Sequence, residues 1–217
     1  MAWKQALRRA IVRQFGHPRG AAGSIVGWVM AHWASNRQRN VWVVSQLNLQ
    51  STDRVLEIGF GPGIAIAEMS RRIGPSGHVY GIDHSKVMLD QASRRNDAAI
   101  RAGRVSLIQA SVNDLPTAFD GPFDAIVAVN SLGFWTAPRT RLGELRRRLK
   151  PGGRIAIASQ PRSAGATRST SLAAGREITD LLEAAGFSQA RTEILELDPP
   201  VVCVVAVNAP LAAAHVC

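Results

Sequence analysis

The stretch Val55-Leu56-Glu57-Ile58-Gly59-Phe60-Gly61-Pro62-Gly63 limits what this chain can fold into more than any other. Arg54 to Ile58 is short, apolar and β-branched at two positions, which suits a central strand covered on both faces. A helical pattern opens at Ile64, so the glycines fall between strand and helix. In an open parallel sheet that is the ligand end, outside the carboxyl ends of the strands. Glycine admits positive φ and close approach, so a ligand can lie almost against the main chain. The spacing is G-x-G-x-G, and Ile64 stands where a dinucleotide fingerprint wants its third glycine. Glu57 argues further against a nicotinamide dinucleotide, because a carboxylate there repels a pyrophosphate and attracts an ammonium. Asp83 closes the next apolar run, His78-Val79-Tyr80-Gly81-Ile82, where an acid can accept from both hydroxyls of a ribose.

Apolar periodicity and turn residues lay out the rest of the chain. Helices are expected over Val41 to Leu47, over Ile64 to Ile73, after Ser85 as N-cap, over Pro138 to Lys150 and over Glu177 to Ala185. Strands are expected over Arg104 to Gln109, Phe123 to Val129 and Arg154 to Ala158, with Gln189 to Leu197 and Val201 to Val207 as a closing antiparallel pair. Asp114 is read as a cap in the loop after the third strand, and Asp120 and Asp124 as loop and strand-start residues. Ser159 to Gly175, rich in Ser, Thr, Ala, Gly and Arg, reads as a long loop that either closes over substrate or is merely mobile. The apolar run Ala21 to Ala34 falls short of the roughly twenty residues a bilayer span needs, and reads as a buried or lid helix.

Four segments in order carry a family resemblance: Val55 to Gly63, Gly81-Ile82-Asp83, Phe123-Asp124-Ala125-Ile126-Val127 and Leu149-Lys150-Pro151-Gly152-Gly153. Together they resemble the class I S-adenosylmethionine-dependent methyltransferases, most closely the small-molecule branch that includes the ubiquinone and menaquinone biosynthesis methyltransferases. The resemblance implies an α/β, Rossmann-like doubly wound sheet of seven strands, mostly parallel with a C-terminal antiparallel strand, and N-terminal helices covering the site. It implies S-adenosylmethionine as methyl donor, S-adenosylhomocysteine as product and a small-molecule acceptor. By that resemblance Glu57, Gly59, Phe60, Gly61 and Gly63 hold the donor, Asp83, His84 and Met88 meet its ribose and adenine, and Ser111 and Val112 meet the adenine edge. Asn130 falls where the methyl group should emerge, and no prolines follow it, which disfavours methylation of nucleic-acid bases. Asn36, Asn40, Phe134 and Trp135 become acceptor-site residues. His32 is the candidate general base, which a phenol or hydroxyl acceptor would need.

At 217 residues the chain suits one domain, and 46% hydrophobic against 19% charged residues marks it as globular. The division expected is a helical cap over residues 1–50, the donor-binding domain over 51–210 and a tail over 211–217. Cys203 and Cys217 suggest neither disulfide framework nor zinc site, and no acidic cluster after the fourth strand suggests a metal. The net charge of +10 is concentrated before Asp53, where Lys4, Arg8, Arg9, Arg13, Arg19, Arg37 and Arg39 stand without one acidic residue. Specific nucleic-acid binding is not expected, since the aromatic-and-basic pattern of an RNA-binding module is absent. Trp3, Leu7, Ile11 and Phe15 repeat at helical spacing beside arginines, so this segment either packs over the domain or lies peripherally on an anionic membrane. Arg8, Arg9 and Arg13 interrupt any signal-peptide core, and a cytoplasmic location follows as the expectation. Trp-bearing apolar helices at the amino end offer a homodimer contact. Two other readings follow from the charge: a membrane-lipid methyltransferase, and a non-catalytic S-adenosylmethionine- or RNA-binding protein.

Overall fold

The structure is a computed structural model and describes residues 34–209. Seven strands form one sheet: β1 (Arg54–Ile58), β2 (His78–Asp83), β3 (Val105–Gln109), β4 (Phe123–Val129), β5 (Leu149–Ser159), β6 (Ser188–Leu195) and β7 (Val201–Val207). Their spatial order is β3-β2-β1-β4-β5-β7-β6. The first five pair in parallel, and β7 runs antiparallel to both β5 and β6. This is the doubly wound sheet expected, with β7 as its antiparallel strand. The order reverses between β1 and β4, which opens a crevice at their carboxyl ends.

Among the described residues six α-helices cover the sheet: α1 (Ala34–Gln46), α2 (Ile64–Arg72), α3 (Lys86–Arg95), α4 (Asp97–Arg101), α5 (Pro138–Arg148) and α6 (Arg168–Ala184). Strand side chains alternate between the two layers, as a period of two demands. Val55, Val79 and Val127 pack with Val43 of α1, Leu47 just past its end, and Ile66 and Met69 of α2. Leu56, Ile58 and Ile126 pack on the other face with Leu142 and Leu145 of α5 and Leu182 of α6. Full burial of each such side chain is worth about 1.5–3 kcal/mol, so both layers contribute to holding the sheet between them.

Several boundaries differ from expectation for identifiable reasons. Ser159 to Gly175 is not one loop, because α6 begins at Arg168. The short polar residues that suggested a loop make the helix start instead: Thr167 N–H donates to Thr170 Oγ1 at 3.2 Å, and buried Ser171 Oγ donates to Pro200 O at 2.7 Å. Gly175 lies inside the helix against β7, where an added Cβ would sit 3.6 Å from Val202. The helix before β5 stops at Arg148, and Pro151-Gly152-Gly153 lies within β5 beside a shift of register between Phe123 and Ala125. Asp114 is not the cap of its loop; Ser111 Oγ accepts from Asn113 N–H at 3.1 Å, and Asp114 closes the turn through its own N–H to Ser111 O at 3.0 Å. Ser85 does cap α3, accepting from Met88 N–H. Asp124 accepts from Arg54 N–H at 2.8 Å and pairs with Lys150 at 2.6 Å, joining the starts of three strands. His32, Cys217, the Met1 to Phe15 segment and Ala21 to Trp33 lie outside the described residues. No helix among the described residues is long and apolar enough to cross a membrane.

Candidate functional site

The glycine turn after β1 is tied to the end of β2. Gly59 and Phe60 N–H both donate to Ile82 O, at 2.8 and 3.3 Å, and Gly61 N–H donates to Asp83 Oδ2 at 2.8 Å. Asp83 Oδ1 accepts from Ser85 N–H at 2.9 Å, so one carboxylate fixes both the glycine turn and the entry to α3. From the other side, Ser131 Oγ donates to Ile58 O at 2.7 Å. Gly61 adopts φ +52, and a Cβ there would meet nothing within 4 Å because it would stand in open space. Gly61 itself lines a cavity of about 510 Å³, within the usual range for small-ligand sites.

Two carboxyl groups face the cavity from adjacent strands. Glu57 is 1% exposed and its Oε2 has no partner, while the carboxylate accepts from Ile66 N–H. Burial, and then the charge of Asp83, pushes the Glu57 carboxyl up to about 8, the Ile66 N–H offsetting part of the rise. Burial also raises Asp83, against the pull of the N–H groups of Ser85 and Gly61. Each Asp83 oxygen keeps a further lone pair for a ligand hydroxyl. His84 Nδ1 stands 3.6 Å from Asp83 Oδ1 at the cavity edge.

The opposite wall comes from the ends of β4 and β5 and from α1. Asn130 holds φ +55 with its N–H on Ala158 O at 2.8 Å, and its Oδ1 accepts from Gln160 N–H at 2.7 Å. Its side chain therefore braces β4 against β5 while the residue lines the cavity. Trp135 is buried and Phe134 is 56% exposed; both line the wall. Asn36 and Asn40 line it from α1, with Asn40 Nδ2 donating to Asn36 O at 2.7 Å.

Of the expected site residues among those described, all but Gly63 border this cavity. Gly63 instead packs under α3, where a Cβ would fall 2.7 Å from Ala92 Cβ and from Asn96 Nδ2. Its φ of +77 turns the chain into α2, so it serves the packing of two helices. Two charged residues of the cavity, Arg39 and Arg162, were not among the expected site residues. Arg39 was one of a run of basic residues, yet it lies four before Val43 and eight before Leu47, on the buried stripe of α1. That spacing was the available signal. Among the described residues no group of three or more His, Cys, Asp or Glu side chains is placed to hold a metal.

The switch-point crevice, its glycine turn and a strand-end aspartate together define a nucleoside-binding α/β protein of the Rossmann-like class. Comparison with known proteins narrows this. A family profile described as "Methyltransferase domain" matches residues 55–153. The uncharacterized methyltransferase YdaC of Bacillus subtilis is 35% identical over 177 residues, 81% of this chain and 92% of that protein. The 2-phytyl-1,4-naphtoquinone methyltransferase of Trichormus variabilis is 34% identical over 128 residues, 58% of this chain and 56% of that protein. The chain thus spans only about half the length of that relative. Among solved structures, the N-methyltransferase NodS from Bradyrhizobium japonicum, in complex with S-adenosylhomocysteine, shares the fold with a TM-score of 0.66 at 18% identity, over 93% of this chain and 98% of that one. A methyltransferase from Aquifex aeolicus gives a TM-score of 0.64 at 24% identity, over 78% and 89%. The chain belongs to the class I S-adenosylmethionine-dependent methyltransferases.

Proposed function

We propose that this enzyme transfers the methyl group of S-adenosylmethionine to a small-molecule acceptor by in-line displacement. The observation that carries the reading is the unpartnered, buried Oε2 of Glu57 on the same cavity as the spare lone pairs of Asp83. An ammonium at Glu57 and ribose hydroxyls at Asp83 complete both groups, and the open space over Gly61 admits the chain between them. Ser111 and Val112 are the adenine wall of this reading, with Met88 beneath. When bound, the donor supplies a methyl group on a sulfonium, which is already an excellent leaving group.

The protein's part is then chiefly positioning. Holding acceptor and methyl group in line is worth roughly 7–11 kcal/mol of barrier, and walls such as Trp135 keep water from the path. Phe134 and Trp135 offer faces for a flat acceptor, and a relative named for a naphthoquinone acceptor supports an aromatic one. His32 is proposed as base for a hydroxyl acceptor.

Calorimetric titration with S-adenosylmethionine, S-adenosylhomocysteine and NADH tests the donor site. Saturable binding of the first two alone, followed by methyl transfer to members of a panel of phenols, quinols, amines and lipids, is the expected result. Binding of NADH in place of the other two sinks the reading.

A further inference from the structure

Donor binding uses the carboxyl end of the cavity and leaves its other end unexplained. Arg39 is 2% exposed, yet the charges on its guanidinium find only neutral partners. NH1 donates to Gln160 Oε1 at 2.5 Å, NH2 to Asn36 Oδ1, and Nε has no partner. The frame around it is rigid: Gln160 is anchored through Nε2 to Pro199 O at 2.9 Å and through its N–H to Asn130 Oδ1 at 2.7 Å. Arg162, two residues past Gln160, lines the same cavity. Burial pulls both guanidinium groups below their ordinary values, Arg39 to about 9 with the charge of Arg162 adding to the effect, so Arg39 stays cationic at neutral pH. A buried cation facing a second cation is costly until an anion lies between them. The acidic residues of the cavity do not fill that role, because Glu57 and Asp83 follow from β1 and β2 while Gln160 follows β5. In the order β2-β1-β4-β5 that is three strand spacings from Asp83, about 14 Å, and two from Glu57, about 10 Å.

Building on the methyl-transfer reading, we propose that Arg39 and Arg162 form an anion subsite for the acceptor, which is a small aromatic molecule bearing a carboxylate or comparable negative group. Phe134 and Trp135 take its ring, and the arginines set its orientation by a charge-assisted fork on the anionic group. The donor's own carboxylate is the other anion that the pair could serve, and the test separates the two.

Protein saturated with S-adenosylhomocysteine is titrated by calorimetry with 3-hydroxybenzoate and with 3-hydroxybenzamide, which differ in charge and little in shape. The wild type is expected to bind the carboxylate at least tenfold more tightly. Arg39→Gln and Arg162→Gln each bring the ratio close to one, Arg39→Lys keeps part of it, and affinity for S-adenosylhomocysteine changes less than twofold. The Arg162 variant keeps the test sharp should Arg39→Gln fold poorly. Equal binding of the two probes, no binding of either, or a ratio that survives both substitutions overturns the proposal. So does a variant that loses S-adenosylhomocysteine but keeps 5′-methylthioadenosine, since the arginines would then serve the donor's amino-acid end. Failure of the wild type to bind S-adenosylhomocysteine defeats the methyl-transfer reading itself, and this proposal with it.

Discussion

Glu57 and Asp83 set the electrostatics of the donor end, and each gives a measurable expectation. The Glu57 carboxyl rises from an ordinary 4.5 to about 8 on folding, so the folded protein keeps a proton that the unfolded chain gives up. The stability this contributes is complete below about 4.5 and is lost as pH rises through about 8. A cationic ligand beside Oε2 favours the ionised form. Binding of S-adenosylhomocysteine at pH 7 should therefore release a proton, read as a difference in apparent enthalpy between phosphate and Tris buffers. Glu57→Gln should abolish that difference, and its persistence would place the ammonium elsewhere. Asp83→Asn keeps one acceptor for Gly61 or Ser85 but weakens the charge-assisted bonds to ribose, each worth about 1.5–3 kcal/mol. The expected loss is about ten- to hundredfold in affinity for S-adenosylhomocysteine, with 5′-methylthioadenosine weakened alike because it shares the ribose.

At the level of elements, the turn from β1 into α2 contains two glycines that do different work. Gly63→Ala drives a Cβ into Ala92 of α3 and Asn96 at its C-cap at positive φ, which should cost about 2–4 kcal/mol and lower the melting temperature by roughly 4–16 °C. Donor affinity of the folded protein should survive. Gly61→Arg carries the strain of positive φ but meets no neighbour and fills the cavity, so donor binding should vanish while melting falls by less than in Gly63→Ala. If both variants behaved alike, the division of labour within the turn would be wrong. α6 carries a separate expectation. Backbone amides from Leu172 to Arg176 should exchange as slowly as those from Glu177 to Leu182, since one hydrogen-bonded helix holds both. Rapid exchange in the first segment alone would restore the long loop.

For the molecule as a whole, a ligand that binds only the folded state stabilises it by mass action. S-adenosylhomocysteine at a hundred times its dissociation constant should add about 2.7 kcal/mol and raise the melting temperature by roughly 5–11 °C, with NADH producing no shift. The strand segments, the glycine turn and the strand-end aspartate were legible in the sequence because each is a local pattern. Apolar runs with a period of two make strands, G-x-G-x-G marks the turn, and an acid at a strand end can only sit at the carboxyl edge of a parallel sheet. The start of α6, built from Thr and Ser, was not legible, because the same residues favour loops unless a partner such as Pro200 O, from a segment distant in sequence, claims the hydroxyl. The role of Gly63 was hidden for a like reason, since only the docking of α3 decides that its missing Cβ is a helix contact and not a ligand contact. Arg39 is the sharpest case. The sequence determined that Asn36, Arg39 and Asn40 share a stripe with Val43, Val44 and Leu47, because 3.6 residues make a turn. Only the tertiary structure decided that this stripe would close over the ends of β4 and β5, because the burial of a charge depends on what the rest of the chain places around it.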